Sequence, residues 1–137
     1  MVAYSFKSQF TSAIGLGTKT QTVRAVRKRH ARPGEIMQLY RGQRTKYCLK
    51  LADVMCTGVC PISVMVSKKN PELIDWIEID GNLLSDFDVE AFAKADGFYP
   101  NGQTSRFWMG RFWLLSHGEG VFEGVLISWG TGETWGA

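Results

Sequence analysis

The segment Lys19-Thr20-Gln21-Thr22-Val23-Arg24 follows a glycine-punctuated turn and combines two cations, two hydroxyls and an amide without an acid. It is followed closely by the basic run Arg27-Lys28-Arg29-His30-Ala31-Arg32. Residues 1–50 hold eleven Lys and Arg against one acid, a net charge of +10, whereas residues 51–137 carry a net charge of −7. Positive charge concentrated beside groups that can read a base or a sugar favours an anionic polymer or a nucleotide as ligand. The alternative is a solvated, arginine-rich loop.

Length and composition predict one folded domain. With 137 residues and 45% hydrophobic content, the chain is long enough to bury a core. No apolar run approaches the roughly 18 residues that span a bilayer, and the first residues lack the pattern of a signal peptide. Three cysteines are an odd number, which favours a reducing compartment over a disulfide framework. We therefore expect a cytoplasmic protein without a membrane partner.

Cys56 and Cys60 are the nearest approach to a metal-binding motif. Their C-x-x-x-C spacing lies in an apolar, strand-like run, where positions 56, 58 and 60 would share one face. Further ligands would have to come from Cys48, His30 or His117, which are scattered along the chain. Small core residues are the better interpretation. We expect no metal and no cofactor, and we expect His117 to be a loop residue.

Short apolar or alternating runs separated by turn signals predict a β-rich structure. The predicted strands cover residues 4–6, 21–26, 36–40, 47–55, 59–67, 73–79 and 122–129. Residues 80–82 read Asp-Gly-Asn and predict a hairpin turn.

Three segments have helical spacing. The first covers residues 8–14 and is ended by Gly15. The second begins at an N-cap, Ser85, and reaches Asp96, with Gly97 at its end. The third covers residues 105–115, and its aromatic residues are expected in the core. Tyr40 and Phe98 are the better candidates for stacking on a base.

Four blocks occur in order along the chain. They are Gly17-Thr18-Lys19-Thr20-Gln21-Thr22-Val23-Arg24, Arg32-Pro33-Gly34-Glu35-Ile36-Met37-Gln38-Leu39-Tyr40, Ala91-Phe92-Ala93-Lys94-Ala95-Asp96-Gly97-Phe98 and Phe122-Glu123-Gly124-Val125-Leu126-Ile127-Ser128-Trp129. Together they resemble the ASCH domain of the PUA-like superfamily, and most closely the small ASCH proteins of bacteria and their phages. The resemblance implies an α+β fold, with a PUA-like β-barrel of about six strands and flanking helices over residues 1–129. Residues 130–137 are predicted to form a C-terminal tail.

The resemblance also implies a cleft for RNA or a modified nucleoside. Some ASCH proteins are amidohydrolases that remove the acetyl group of N4-acetylcytidine with a Lys, a Thr and a Glu, and others are described as ribonucleases. By motif, the Lys falls on Lys19 and the Thr on Thr22. The acidic position falls on Asp96, one methylene shorter than the family's Glu. Whether the chain is an enzyme is therefore left open.

The residues themselves set two conditions on such chemistry. Positions 19 and 22 point to opposite faces of a regular strand, so Lys19 must lie in the turn before the strand or at a bulge to join Thr22. Asp96 faces the negative end of a helix macrodipole, which raises its pKa and suits proton transfer. The alternative is that Asp96 caps the following turn or pairs with Lys94 or an arginine.

Contacts to a nucleic acid are expected from the basic segment. The predicted nucleic-acid-binding residues are Thr20, Arg24, Arg27, Lys28, Arg29 and Arg32. The expected partner is RNA or a modified nucleoside, with DNA left open. A binding module or adaptor without turnover is the main alternative function. A ribonuclease is a further alternative, and it would have to rely on His30 as the nearby imidazole.

Overall fold

Two β-sheets and three α-helices make up the fold, and the computed structural model describes residues 2–129. The strands are β1 (Val2–Phe6), β2 (Gln21–Arg24), β3 (Ile36–Arg41), β4 (Leu49–Met55), β5 (Gly58–Val66), β6 (Ile74–Ile79), β7 (Asn82–Leu83) and β8 (Gly120–Ser128). The helices are α1 (Thr11–Leu16), which continues a 3-10 turn at Ser8–Phe10, α2 (Asp86–Ala95) and α3 (Ser105–His117).

The first sheet has the strand order β1-β3-β4 and the second has the order β2-β8-β5-β6-β7. β1 runs parallel to β3, and the other paired strands are antiparallel. Within residues 2–129 no strand pairing joins the two sheets, so they do not close into a barrel. The predicted α+β class is confirmed. The described strands number eight in two sheets, where about six were expected.

Strand alternation and the helices build one core. β1 buries every second residue, and the carboxyl-terminal half of β5 does the same. Phe92 of α2 and Met109 of α3 are fully buried and belong to the same core cluster as residues of both sheets. The Ser85 and Thr104 side chains accept hydrogen bonds at the starts of α2 and α3, as N-caps do. The helix predicted from Ser85 is therefore confirmed.

Several predicted boundaries differ from those observed. α1 continues past Gly15 to Leu16 and is capped by Gly17, which has a φ of 77° and supplies the left-handed conformation that closes the helix. Cys56 precedes β5 and does not share a strand with Cys60. β2 ends at Arg24 and not at Val26, which is exposed.

None of the helices within residues 2–129 is long and apolar enough to cross a membrane. The predicted tail, residues 130–137, lies outside the described residues.

Candidate functional site

The turn between α1 and β2 is held by main-chain hydrogen bonds from both sides. The amides of Thr18 and Lys19 donate to the carbonyl of Ala13, which satisfies the end of α1. The amide of Thr20 donates to the carbonyl of Ala95 at the end of α2. Lys19 therefore lies in the turn ahead of β2, where the sequence required it to be if it is to join Thr22.

Lys19, Thr22 and Asp96 line the same cavity although 74 residues separate Thr22 from Asp96. The cavity has a volume of about 350 Å³, and we call it the Lys19 cavity. Its walls come from β1, the 3-10 turn, β2, the end of α2, α3 and β8. All three predicted catalytic side chains are buried.

Lys19 and Asp96 form a buried ion pair. The Nζ of Lys19 donates a 2.6 Å hydrogen bond to the main-chain oxygen of Asp96 and lies 3.5 Å from its Oδ1. The two side chains are only 3% and 7% exposed. Burial lowers the pKa of Lys19, and burial raises the pKa of Asp96, while the opposite charge of each partner works against the change. Because the two pKa values move toward each other, passing a proton from the ammonium to the carboxylate costs less than it does in water.

Asp96 directly follows the last residue of α2 and caps its carboxyl end. The sequence predicted a raised pKa there from the helix macrodipole, and the direction agrees, but the largest cause is burial. The side chain of Gln21, also buried, interacts with the Asp96 carboxyl and lowers its pKa. Gln21 is a site residue that the sequence analysis missed, and its place inside the Lys19–Arg24 motif is the one signal that could have indicated it.

Thr22 and Arg24 lie two residues apart on β2 and both line the Lys19 cavity. The Nε of Arg24 donates to the Thr22 Oγ1 at 3.0 Å, and its Nη2 donates to the main-chain oxygen of Ser5 at 2.8 Å. Burial lowers the pKa of Arg24, but a guanidinium stays charged in proteins. Arg24, predicted as a nucleic-acid contact, is thus positioned to stabilise negative charge on the Thr22 oxygen.

Aromatic rings surround the Lys19 ammonium. Its Nζ lies 4.6 Å from the centre of the Phe10 ring and 5.6 Å from that of Phe6, within cation–π range. Gly97 has a φ of 99°, and a Cβ there would lie 3.0 Å from the Lys19 Cδ and from the Phe10 ring. Glycine at position 97 is therefore required both by the backbone and by the close packing of Lys19.

One rim of the Lys19 cavity is formed by the exposed end of α3. Ser116 and His117 both line it, and the His117 ring packs 4.8 Å from Trp113 and 4.9 Å from Phe122, measured between ring centres. His117 is the last residue of α3 and not a loop residue as the sequence suggested. An imidazole at the rim of a cavity can donate or accept a hydrogen bond.

The remaining predicted nucleic-acid contacts lie outside the Lys19 cavity. Thr20 lines a separate cavity of about 460 Å³ beside α2. Arg27, Lys28, Arg29 and Arg32 are exposed. Arg29 pairs with Glu35, so part of the charge of this segment is neutralised within the protein.

His30 is held by two contacts away from the Lys19 cavity. Its Nδ1 lies 2.9 Å from the hydroxyl of Tyr4, and its Nε2 lies 2.9 Å from the main-chain oxygen of Ala25. Both ring nitrogens are thus engaged within the fold. The imidazole that a ribonuclease would need is not supplied by His30 in this arrangement.

Two further predictions concern aromatic and metal-binding residues. Phe98 is buried against Phe10 and Phe112, with ring centres 5.4 and 5.5 Å away, so its proposed stacking on a base is wrong. Its ring belongs to the packed interior.

Within residues 2–129, no three side chains of His, Cys, Asp or Glu are grouped so that they could hold a metal ion.

Comparison of the chain with models of protein families, with curated proteins and with solved structures finds no match.

Proposed function

We propose that the chain is a PUA-like ASCH protein that binds a cytidine nucleoside in the Lys19 cavity and hydrolyses an acyl amide at N4 of the base. The observation that carries this proposal is the buried Lys19–Asp96 pair, which lines a cavity together with the Thr22 hydroxyl. Two buried ionisable groups with pKa values displaced toward each other, facing a cavity, are typical of a site for proton transfer. The PUA-like architecture rests on the motifs in the sequence.

The walls of the Lys19 cavity suit a planar, uncharged ligand. Phe6, Phe10 and Phe112 supply aromatic surface, and Lys19, Thr22, Arg24 and Asp96 supply polar groups. A volume of about 350 Å³ lies at the lower end of the range for small-molecule sites, about 300–1,000 Å³. A nucleobase could stack on the rings while its exocyclic acyl amide reaches these polar groups.

Proton transfer within the ion pair supplies both a base and an acid. When the proton lies on Asp96, the neutral amine of Lys19 can take a proton from the Thr22 hydroxyl, or from a water bound beside it, as the oxygen attacks the acyl carbon. The Asp96 carboxyl then gives its proton to N4 as the C–N bond breaks. Lys19 is left as ammonium and Asp96 as carboxylate, and passage of one proton between them restores the starting state.

The guanidinium of Arg24 completes this scheme. A fixed cation beside the attacking oxygen stabilises the negative charge that develops during acyl transfer. If Thr22 is the nucleophile, a water molecule must then hydrolyse the acyl-threonine ester. Amide and water thus give one carboxylic acid and cytidine, whichever oxygen attacks first.

Hydrolysis of N4-acetylcytidine by the purified protein tests the proposal, with chromatography to detect free cytidine. Lys19→Met and Asp96→Asn should each lower the rate by about 10²–10³-fold or more, the usual effect of losing an acid–base or oxyanion partner. Thr22→Ser, which keeps the hydroxyl, separates nucleophilic chemistry from packing when compared with Thr22→Val. Lys94→Met removes an exposed lysine at the end of α2 and should leave the rate unchanged. No cytidine from the wild-type protein at stoichiometric enzyme would refute hydrolysis.

A binding module without turnover is the second candidate function. One observation and one departure from the family pattern favour it. The Thr22 hydroxyl oxygen already accepts a hydrogen bond from Arg24, and position 96 is Asp where the family has Glu. Calorimetry with N4-acetylcytidine separates the two candidates, since binding without product supports the module. Appearance of activity in Asp96→Glu would add that the shorter carboxylate limits turnover.

A further inference from the structure

A second groove lies beside the Lys19 cavity and shares a wall with it. It has a volume of about 820 Å³ and is bounded by the end of β1, Lys7, and the connection between β3 and β4. Ser5, Phe6 and Lys7 line both spaces. We call this space the β3–β4 groove. A ligand that fills the Lys19 cavity could therefore continue into the groove without leaving the protein surface.

The β3–β4 connection is strongly basic. Residues 41–50 contain Arg41, Arg44, Lys46 and Lys50 and no acid, although Lys50 pairs with Asp53 on β4. Lys7 also lines the groove and is exposed, with its Nζ 5.0 Å from the Phe112 ring centre. Of these cations, Lys7 and Arg41 line the groove, and Arg44 and Lys46 lie in the connection beside it. The sequence analysis did not single out these residues.

The same connection presents an aromatic ring to solvent. Tyr47 is 69% exposed and lines the β3–β4 groove. Hydrogen bonds within the loop fix its backbone: the Thr45 hydroxyl donates to the Gly42 carbonyl at 2.6 Å and accepts from the Tyr47 amide at 3.2 Å. Gly42 has a φ of 64°, and a Cβ there would lie 3.1 Å from the Tyr47 carbonyl oxygen. The ring is therefore exposed on an ordered loop.

We propose that the β3–β4 groove binds a single nucleic-acid strand, with Tyr47 stacked on an unpaired base and with Lys7, Arg41, Arg44 and Lys46 facing phosphates. Basic side chains interleaved with an exposed aromatic ring are the combination that sequence-tolerant single-strand binding uses. A base inside a duplex has no free face for Tyr47, so an unpaired strand fits better than a double helix. The inference rests on the proposed function in one respect, that the nucleotide next to the bound strand is the one held in the Lys19 cavity.

Fluorescence anisotropy with a five-nucleotide single-stranded RNA, labelled at one end and carrying a central cytidine, tests the strand site. The triple variant Arg41→Ala, Arg44→Ala, Lys46→Ala should weaken binding and flatten the dependence of log affinity on log salt by about 0.7 for each phosphate that the variant no longer neutralises. Tyr47→Ala should weaken binding about 5- to 150-fold, whereas Tyr47→Phe, which keeps the ring, should stay close to wild type.

The matched control removes three exposed lysines that lie outside the β3–β4 connection and do not line the groove: Lys68→Ala, Lys69→Ala, Lys94→Ala. A loop triple variant that binds no more weakly than this control overturns the inference, as does a DNA or RNA duplex that binds more tightly than the single strand. Alanine substitution of Arg27, Lys28 and Arg29 should have the smaller effect. If it has the larger one, the strand lies on that segment and not in the groove.

Calorimetry with free N4-acetylcytidine keeps the two proposals apart. The loop variants should leave its affinity unchanged, since the nucleoside fills the Lys19 cavity alone. Nucleoside binding without strand binding would refute the groove and leave the proposed function standing. Strand binding that depends on the loop, with no nucleoside binding or hydrolysis, would support the groove and refute the proposed function, and failure of both ligands would refute both.

Discussion

Removal of the Lys19 ammonium should destabilise the fold by an amount that grows with pH. In Lys19→Met the Asp96 carboxylate keeps its burial, which raises its pKa, and loses the nearby cation, which lowers it. Its pKa in the folded state therefore rises further above the unfolded value. A group of this kind contributes stability below its unfolded pKa and loses it as pH rises through the folded pKa. The free energy of unfolding of the variant should be close to that of the wild type at acid pH and should drop below it toward neutral pH.

The distance within the pair gives the size of the effect. Two unit charges 3.5 Å apart attract by about 5 kcal/mol at an effective dielectric constant of 20. The destabilisation has an upper limit, because the variant can protonate Asp96 when the lone carboxylate becomes too costly to bury. Keeping the carboxyl protonated at pH 7.5, against a reference pKa of 3.8, costs about 1.4 kcal/mol per pH unit, which is again about 5 kcal/mol. Loss of one partner of a buried pair typically costs about 3–5 kcal/mol. We expect a loss in that range at pH 7.5.

Urea unfolding followed by tryptophan fluorescence at pH 4.5, 6.0 and 7.5 measures the difference. Lys94→Met is the matched control and should change the free energy of unfolding by less than about 0.5 kcal/mol, as exposed substitutions usually do. The double variant Lys19→Met/Asp96→Asn should recover much of the loss, because no charge is then left buried. An equal loss at pH 4.5 and 7.5 would refute the reasoning, since a packing defect has no reason to titrate.

Two more stability predictions follow from backbone geometry and from one buried guanidinium. Gly97→Ala should lower the melting temperature and cost about 1–3 kcal/mol of stability, because position 97 has a φ of 99° and packs on Lys19. Gly15→Ala in α1 is the control: nothing lies near the added Cβ, so it should be neutral or stabilising. Arg106→Met should cost about 3 kcal/mol or more, since its guanidinium binds main-chain carbonyls of β6, while Asp86→Asn, whose side chain is 94% exposed, should cost less than about 1 kcal/mol. Thermal unfolding monitored by circular dichroism checks both pairs, and either prediction fails if the two members of its pair respond alike.

Local signals in the sequence were sufficient for most elements. Ser85 marks the start of α2 because its hydroxyl satisfies a helix amide. Alternation in residues 73–79 indicates β6, where Ile77 and Ile79 are buried on either side of the half-buried Glu78. The arrangement of strands into two sheets could not be predicted in this way. β1 pairs in parallel with β3, which begins 30 residues after β1 ends, and no pattern within either strand encodes that pairing.

The candidate site, too, could be predicted only in part from the sequence. Placing Lys19 in a turn followed from strand alternation together with the motif, and the structure brings it to Thr22 and Asp96. The Gln21 contact and the position of Arg24 in the cavity wall depend on which residues are buried, which spacing alone does not fix. Tyr47 was missed for a related reason: its exposure depends on hydrogen bonds inside the β3–β4 connection.

The shorter carboxylate at position 96 need not disturb the position of Lys19. The strongest contact of the ammonium is with the main-chain oxygen of Asp96, at 2.6 Å, and the carboxylate oxygen is 3.5 Å away, beyond the about 2.7–2.9 Å of a strong charge-assisted hydrogen bond. The backbone at the end of α2 therefore positions the cation, and the packing of Gly97 against the Lys19 stem maintains it there. The carboxyl keeps hydrogen-bonding capacity for a ligand, with the Gln21 side chain close to it. A change in carboxylate length thus alters the reach of the acid and its exchange of a proton with Lys19, while the main-chain contact keeps the ammonium in place.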